Sequence, residues 1–334
     1  MQDFITKFLL KILSIDSTSG KEEKLLNYLT RYHRPAGAAL EIHYDAAKPR
    51  NIFYKWGDPR IIFCTHLDTV PPYYSPRKKH GAIYGRGACD AKGQIASIYA
   101  AVGILHREKQ NNFGILLTSG EEIDSSGAKL ANELIDNAKF VIVCEPTENK
   151  LIKAAKGVLA AEIKVSGKAV HSGYPDLGNS AIDRLRRFLD DLDDIKFPRD
   201  KILGKTTYNV GQLHTNNAHN VLADHLVCNI LFRTTFTSHA MIRQQLNLFA
   251  DTNLAIKITN SSEPFKFFTV NGFKTGVVAF CSDAPSLPRL GKCLLYGPGN
   301  ILDAHTSNEY IKIADVKRAV KDLRNLYYNL VSLL

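Results

Sequence analysis

The sequence predicts an α/β fold: a mixed sheet covered by helices, interrupted by an inserted α+β segment. Three observations carry this. Runs such as Ile61-Ile62-Phe63 and Val141-Ile142-Val143 are apolar at successive positions, so these strands bury both faces, as a sheet flanked by helices requires. In the middle of the chain, Ala160 to Val165 alternates apolar and charged residues, the pattern of a half-exposed strand. The chain then ends in a helical stripe of Val316, Val320, Leu323, Tyr327 and Leu330. A length of 334 residues suits about two domains.

In order along the chain, Met1 to Ser14 reads as an amphipathic helix. Asp3, Lys7 and Lys11 interrupt it at helical spacing and leave no continuous apolar core for a signal peptide. Ser19-Gly20-Lys21-Glu22 reads as a capping box before the stripe Leu25, Leu26, Leu29. Strands are expected at Leu40 to Tyr44, Asn51 to Trp56 and Arg60 to Thr65, a helix from Gln94 to Leu105, and strands at Phe113 to Thr118 and Phe140 to Cys144, the last stopped by Pro146. The insert follows as strand Ala160 to Val165, helix Ser180 to Asp193, strands Tyr208 to Leu213 and Leu226 to Thr234, helix Ala240 to Phe249 and strand Leu254 to Ile258. This βαββαβ order is that of a small one-sided unit. The main sheet is expected to resume with Gly276 to Phe280 and Lys292 to Tyr296. The expected catalytic domain is therefore 1–156 with 264–334, and the insert is 157–263.

Composition excludes several classes. No stretch approaches the roughly 20 apolar residues of a membrane span. The six cysteines lack CxxC spacing and are too sparse for a disulfide scaffold. The expectation is a soluble, cytoplasmic protein. Lys plus Arg exceeds Asp plus Glu by 43 to 33. The basic runs Pro76 to His80 and Arg184 to Arg187 are short and do not alternate with aromatics, which argues against nucleic acid.

The chemistry lies in acids and histidines where strands meet loops. His66-Leu67-Asp68 follows an apolar strand, and its residues two apart share a face. Gly85 to Gly93 is a glycine-punctuated loop carrying Asp90. Glu121-Glu122 and Glu145 end later strands, and His305 lies near the C-terminus. In open α/β sheets, functional groups gather at the carboxyl ends of strands, so these segments can meet there. Taken singly, an HxD is more often a hydrogen-bond pair and a Glu-Glu a solvated loop; the ordered set argues for a site.

Segment by segment, the set resembles the metal-site pattern of the dinuclear zinc amidohydrolase family that includes acetylornithine deacetylase and succinyl-diaminopimelate desuccinylase. The resemblance spans essentially the whole chain. It implies a zinc-exopeptidase-like catalytic domain with a ferredoxin-like lid that also dimerises. His66 and Glu145 would bind one zinc, Glu122 and His305 the other, and Asp90 would bridge them, with Asp68 holding His66 by its second ring nitrogen. Two Zn²⁺ and three carboxylates leave one positive charge, which a bridging hydroxide would neutralise. Cobalt and manganese are alternative metals. Glu121 would be the general base. In Ser166 to Pro175, which resembles the lid motif, His171 would donate to the oxyanion and Tyr174 border the substrate. Asn220 and Arg233 match substrate-holding lid positions, although Asn220-Val221-Leu222-Ala223 departs from the usual Asn-Val-x-Pro. Gly297 and Gly299 would offer backbone N–H groups to a carboxylate. A cis peptide is expected after Asp90.

The resemblance further implies hydrolysis of the amide of an N-acyl-L-amino acid by a homodimer, with N-acetylornithine the first substrate, as in arginine biosynthesis. Glu145, rather than Asp, resembles the deacetylase/desuccinylase branch more than the aminoacylase branch, and the five-residue step from Asn300 to His305 after Gly-Pro-Gly resembles acetylornithine deacetylase more than the desuccinylase. Alternatives are release of lysine or ornithine from an acidic amino-group carrier protein, which a net charge of +10 would suit, a desuccinylase, or a dipeptidase. The non-enzymatic alternative is a binding protein that kept the metal site; retention of Glu121, an isolated base, counts against it.

Overall fold

The computed structural model describes residues 2–46 and 48–334, so Met1 of the expected first helix lies outside the described residues. The chain divides into two compact units. The first comprises Met1–Lys153, Phe267–Gly276 and Ser282–Leu334, and the second Ala154–Lys266 and Val277–Cys281. The insert therefore begins three residues earlier than 157 and takes in a short second segment.

The first unit is built on a six-stranded mixed sheet. Its order is Ala39–Asp45, Lys48–Trp56, Phe113–Thr118, Ile61–His66, Phe140–Val143 and Lys292–Leu295. The last four run parallel, and the first two form an antiparallel hairpin beside them. Every residue of Ile61–His66, Phe113–Thr118 and Phe140–Val143 is buried, which is why these strands read as unbroken apolar runs. Helices Gln2–Leu13, Lys92–Arg107 and Ile313–Val331 supply Phe8, Ile12, Ile98, Val102, Val320 and Leu323 to one core with Phe63 and Ile142. Burying each such side chain contributes roughly 1.5–3 kcal/mol.

Two expectations are corrected. The strand Thr275–Val278 joins a separate three-stranded sheet with Leu151–Ala155 and Phe265–Lys266, not the main sheet. The capping box does not form. The helix Glu23–Tyr32 is capped by Glu22 without a side-chain bond, and the Ser19 hydroxyl donates to Asp68 instead.

In the second unit, a four-stranded antiparallel sheet runs in the order Thr207–His214, His225–Thr234, Gly157–Ser166, Leu254–Ser262. Helices Ala181–Asp194 and His239–Phe249 cover one face, burying Leu185, Phe188, Ile242 and Leu246 against Leu159, Ile163, Cys228 and Ile230. This is the ferredoxin-like arrangement. Alternation along Gly157–Ser166 follows from its one covered face.

Candidate metal centre

Parallel direction puts the carboxyl ends of Ile61–His66, Phe113–Thr118, Phe140–Val143 and Lys292–Leu295 on one edge, with His66 level with Thr118 and Leu295 level with Val143. The segments leaving that edge carry His66, Glu121, Glu122, Glu145 and the approach to His305. The loop before Lys92–Arg107 brings Asp90 into the same place through a cis Asp90–Ala91 peptide.

Asp90 stands between the two histidines. Its Oδ1 lies 2.9 Å from His66 Nε2, and its Oδ2 lies 3.3 Å from His305 Nε2. His305 Nε2 is also 3.0 Å from Glu122 Oε1, and Glu145 Oε1 is 4.0 Å from His66 Nε2. Ligand atoms of His66, Asp90 and Glu122 fall within 4.8 Å of one another. The pairings thus gather all five expected ligands around the shared Asp90. His66 and Glu145 are buried, whereas the His305 side chain is 46% exposed.

Asp68 behaves differently from the expectation. The close partner of His66 Nδ1 is the Asp68 backbone carbonyl at 2.9 Å, with the carboxylate at 3.5 Å. A carbonyl-facing Nδ1–H fits this contact and turns Nε2 toward Asp90. The Asp68 carboxylate is taken up elsewhere: Oδ1 accepts the N–H groups of Gly120 and Glu121, and Oδ2 accepts the Glu122 N–H and the Ser19 hydroxyl. It pins the turn that presents the two glutamates.

Six carboxyl groups (Asp68, Asp90, Glu121, Glu122, Glu145, Asp283) face two imidazoles. Burial, reinforced by the neighbouring Asp90, pushes Glu145 well above the usual carboxylate range, and burial with Asp283, Asp90 and Glu122 does the same to Glu121. Burial opposes charge on His66, but its bonds to Asp68 and Asp90 outweigh that and raise its pKa. Hydrogen bonds to Asp90 and Glu122 push His305 up to about 10. These shifts follow from a surplus of buried carboxylates. A divalent cation would offset that negative charge, and a mixed carboxylate–imidazole donor set suits zinc and its first-row neighbours. The residues fit a metal.

Sequence reasoning missed three contributors. Asp283 is buried, accepts from the Thr118 hydroxyl at 2.7 Å and is raised by burial. Arg86 and Glu309 form a buried pair at 2.6 Å. Arg86 lies in the glycine-punctuated loop that carries Asp90, and Glu309 lies four residues after His305, but nothing local tells that they meet.

Gly297 is a correction. Its N–H donates to the Thr147 hydroxyl, so it is not free for a substrate. A Cβ there would sit 2.3 Å from Gln94 Oε1 and 2.5 Å from the Glu145 carbonyl, and one on Gly299 would sit 2.6 Å from Cys89 Sγ. Close packing accounts for Gly297, and at Gly299 a φ of 88° in the left-handed region adds to it.

Within the second unit, His171, Tyr174 and Asn220 share a loop cluster. His171 bridges to Val221, the Ser172 N–H donates to the Asn220 carbonyl, and the His171 and Tyr174 rings lie 6.0 Å apart. Arg233 pairs with Val158 at the opposite end of the sheet from Ser166, so the register separates it from that cluster.

Comparison with known proteins shows the family and the fold. The family model described as peptidase family M20/M25/M40 matches residues 62–329. A peptidase M20 domain-containing protein of Schizosaccharomyces pombe is 32% identical over 332 residues, covering 96% of this chain and 83% of its own. A probable carboxypeptidase of Aspergillus flavus is 32% identical over 310 residues, covering 80% and 74%. A tripeptidase from Staphylococcus aureus has the same fold, with a TM-score of 0.82 at 21% identity over 97% of both chains.

Proposed function

Because the chain belongs to peptidase family M20/M25/M40, we propose that it is a metal-dependent hydrolase that cleaves the amide bond of a small amino-acid substrate, a short peptide before an N-acyl amino acid. The observation that carries this is the sharing of Asp90 between His66 and His305, with Glu122, Glu145 and Glu121 beside them. His66 and Glu145 would hold one divalent ion, Glu122 and His305 a second, and Asp90 both. Such ions supply Lewis acidity to the amide carbonyl and to the attacking water.

Glu121 is the proton carrier. It sits on the turn held by Asp68, next in sequence to Glu122. It takes a proton as water adds to the carbonyl carbon and gives it to the amine nitrogen as the C–N bond breaks. Asp68 holds that turn, and through its carbonyl the His66 ring. His171 and Tyr174, with Asn220, form the candidate substrate-facing cluster of the second unit; in a homodimer, the His171 ring is the candidate oxyanion donor.

The curated relatives include carboxypeptidase-named proteins, which supports a peptide substrate. N-acetylornithine, favoured by the sequence resemblance, is the competing substrate, and an acidic carrier protein the macromolecular one. Among the described residues no helix is long and apolar enough to cross a membrane. The test is amine release by zinc-loaded protein from dipeptides, tripeptides, N-acetylornithine and N-succinyl-diaminopimelate, with and without chelator. Chelator-sensitive cleavage of peptides is expected. Preference for N-acetylornithine would shift the substrate class, and no cleavage of any amide would overturn the proposal.

A further inference from the structure

Arg86 and Glu309 are each 2% exposed, and their ion pair joins two loops that are distant in sequence. Every polar atom of Glu309's carboxylate is committed. Oε1 accepts the consecutive N–H groups of Cys89 and Asp90 at 3.0 and 3.1 Å, and Oε2 takes the Arg86 guanidinium at 2.6 Å. Arg86 in turn donates to the carbonyls of Pro72 and Thr306 and lies over the Tyr74 ring. Thr306 follows His305, whose φ of 60° is in the left-handed region, which costs a non-glycine residue free energy unless neighbours enforce it. One carboxylate therefore fixes the backbone of Asp90, while its partner guanidinium fixes the backbone next to His305.

Stability is a weak reason for such a pair. A buried ion pair gains little over apolar side chains of similar volume, because both charges lose their water. What apolar replacements could not provide is the set of directed bonds to Asp90, Cys89 and Thr306. We propose that Arg86 and Glu309 are positioning residues, a clamp that sets Asp90 relative to His305 so that the metal position they share can fill. This rests on the reading of Asp90 and His305 as metal-holding groups. Groups that orient metal ligands from behind typically change affinity by about ten- to a hundredfold when lost.

The test is Co²⁺ titration of the full-length apoprotein, followed by equilibrium dialysis and by the visible absorption of the bound metal. Wild type should take two equivalents. Glu309→Gln keeps the shape but loses the charge, and Arg86→Lys keeps the charge but loses the planar fork. Both should weaken one of the two equivalents by about ten- to a hundredfold and alter the cobalt spectrum, with Glu309→Gln the more severe. Glu108→Gln, which breaks the partly exposed Glu108–Arg324 pair, should leave both equivalents and the spectrum unchanged, separating positioning from general loosening. If Glu309→Gln does not fold, the milder Arg86→Lys decides the matter. Two equivalents with wild-type affinity and spectrum in a folded variant would overturn the clamp. A wild-type chain that takes up no metal would overturn the reading of the site itself, and the clamp with it.

Discussion

Asp68 Oδ1 accepts the backbone N–H of Glu121 at 3.1 Å, so the residue expected to steer a histidine holds the main chain of the proposed general base. Removing that carboxylate frees three consecutive N–H groups, of Gly120, Glu121 and Glu122. Asp68→Ala should lower kcat by more than tenfold through misplacement of Glu121, and Asp68→Asn, which keeps one acceptor oxygen, should fall between it and wild type. Steady-state rates at matched metal content check this. Wild-type turnover by Asp68→Ala would remove the turn from the mechanism.

Glu121→Gln should abolish turnover while leaving bound metal nearly unchanged. Base catalysis typically contributes about 10²–10⁴-fold. Rates and metal analysis on one preparation distinguish loss of a base from loss of a ligand, and loss of metal in proportion to activity would reassign Glu121 as a ligand.

Metal should stabilise the fold as well as activate it, since a cation offsets the negative charge that burial penalises at Glu121 and Glu145. Free metal at 100 times its Kd adds about 2.7 kcal/mol for one site. Thermal midpoints with zinc and with chelator should differ by several degrees. Identical midpoints would count against the proposed ligands.

Gly297→Ala should lower the thermal midpoint and weaken metal retention, because its Cβ would press on Gln94 and on the Glu145 backbone. Forced overpacking typically costs about 1–3 kcal/mol. A variant with normal stability and metal content but a raised KM would restore Gly297 to substrate binding.

The His171 ring is expected to serve the partner subunit's metal site in a homodimer. Glu121→Gln and His171→Ala chains should each be nearly inactive. Mixed under conditions that exchange subunits, they should regain activity, because one site of the heterodimer then has both groups. No recovery after proven exchange would confine His171 to its own chain or to no role.

The strand Phe113–Thr118 was legible to the residue because both its faces are buried. The three-residue strands Arg77–Lys79, Ala82–Tyr84 and Tyr310–Lys312 are too short to show a period, and the first is wholly exposed. The helix Ser126–Leu134 starts after Ser125 in a left-handed conformation and has no cap bond to announce it. In the site, the ordered set of acids and histidines pointed to a centre, and the family resemblance named Asp68, Asp90 and His305 within it, since metal chemistry restricts which side chains serve. Partner choice was not legible. Ser19 matched a local capping pattern, yet its bond runs to Asp68, 49 residues away. Arg86 and Glu309 meet across 223 residues, and no local pattern encodes such a meeting.

The order of strands in the main sheet also constrains how the chain can be made. Phe140–Val143 emerges from the ribosome long before its neighbour Lys292–Leu295, and the whole second unit is synthesised between them. Until that neighbour arrives, an all-apolar strand presents an open edge, the kind of surface that seeds aggregation in nascent chains. His305 is translated later still. A stalled or truncated product would therefore carry most of the acids of the centre without the residues that complete it, and would be both sticky and inert.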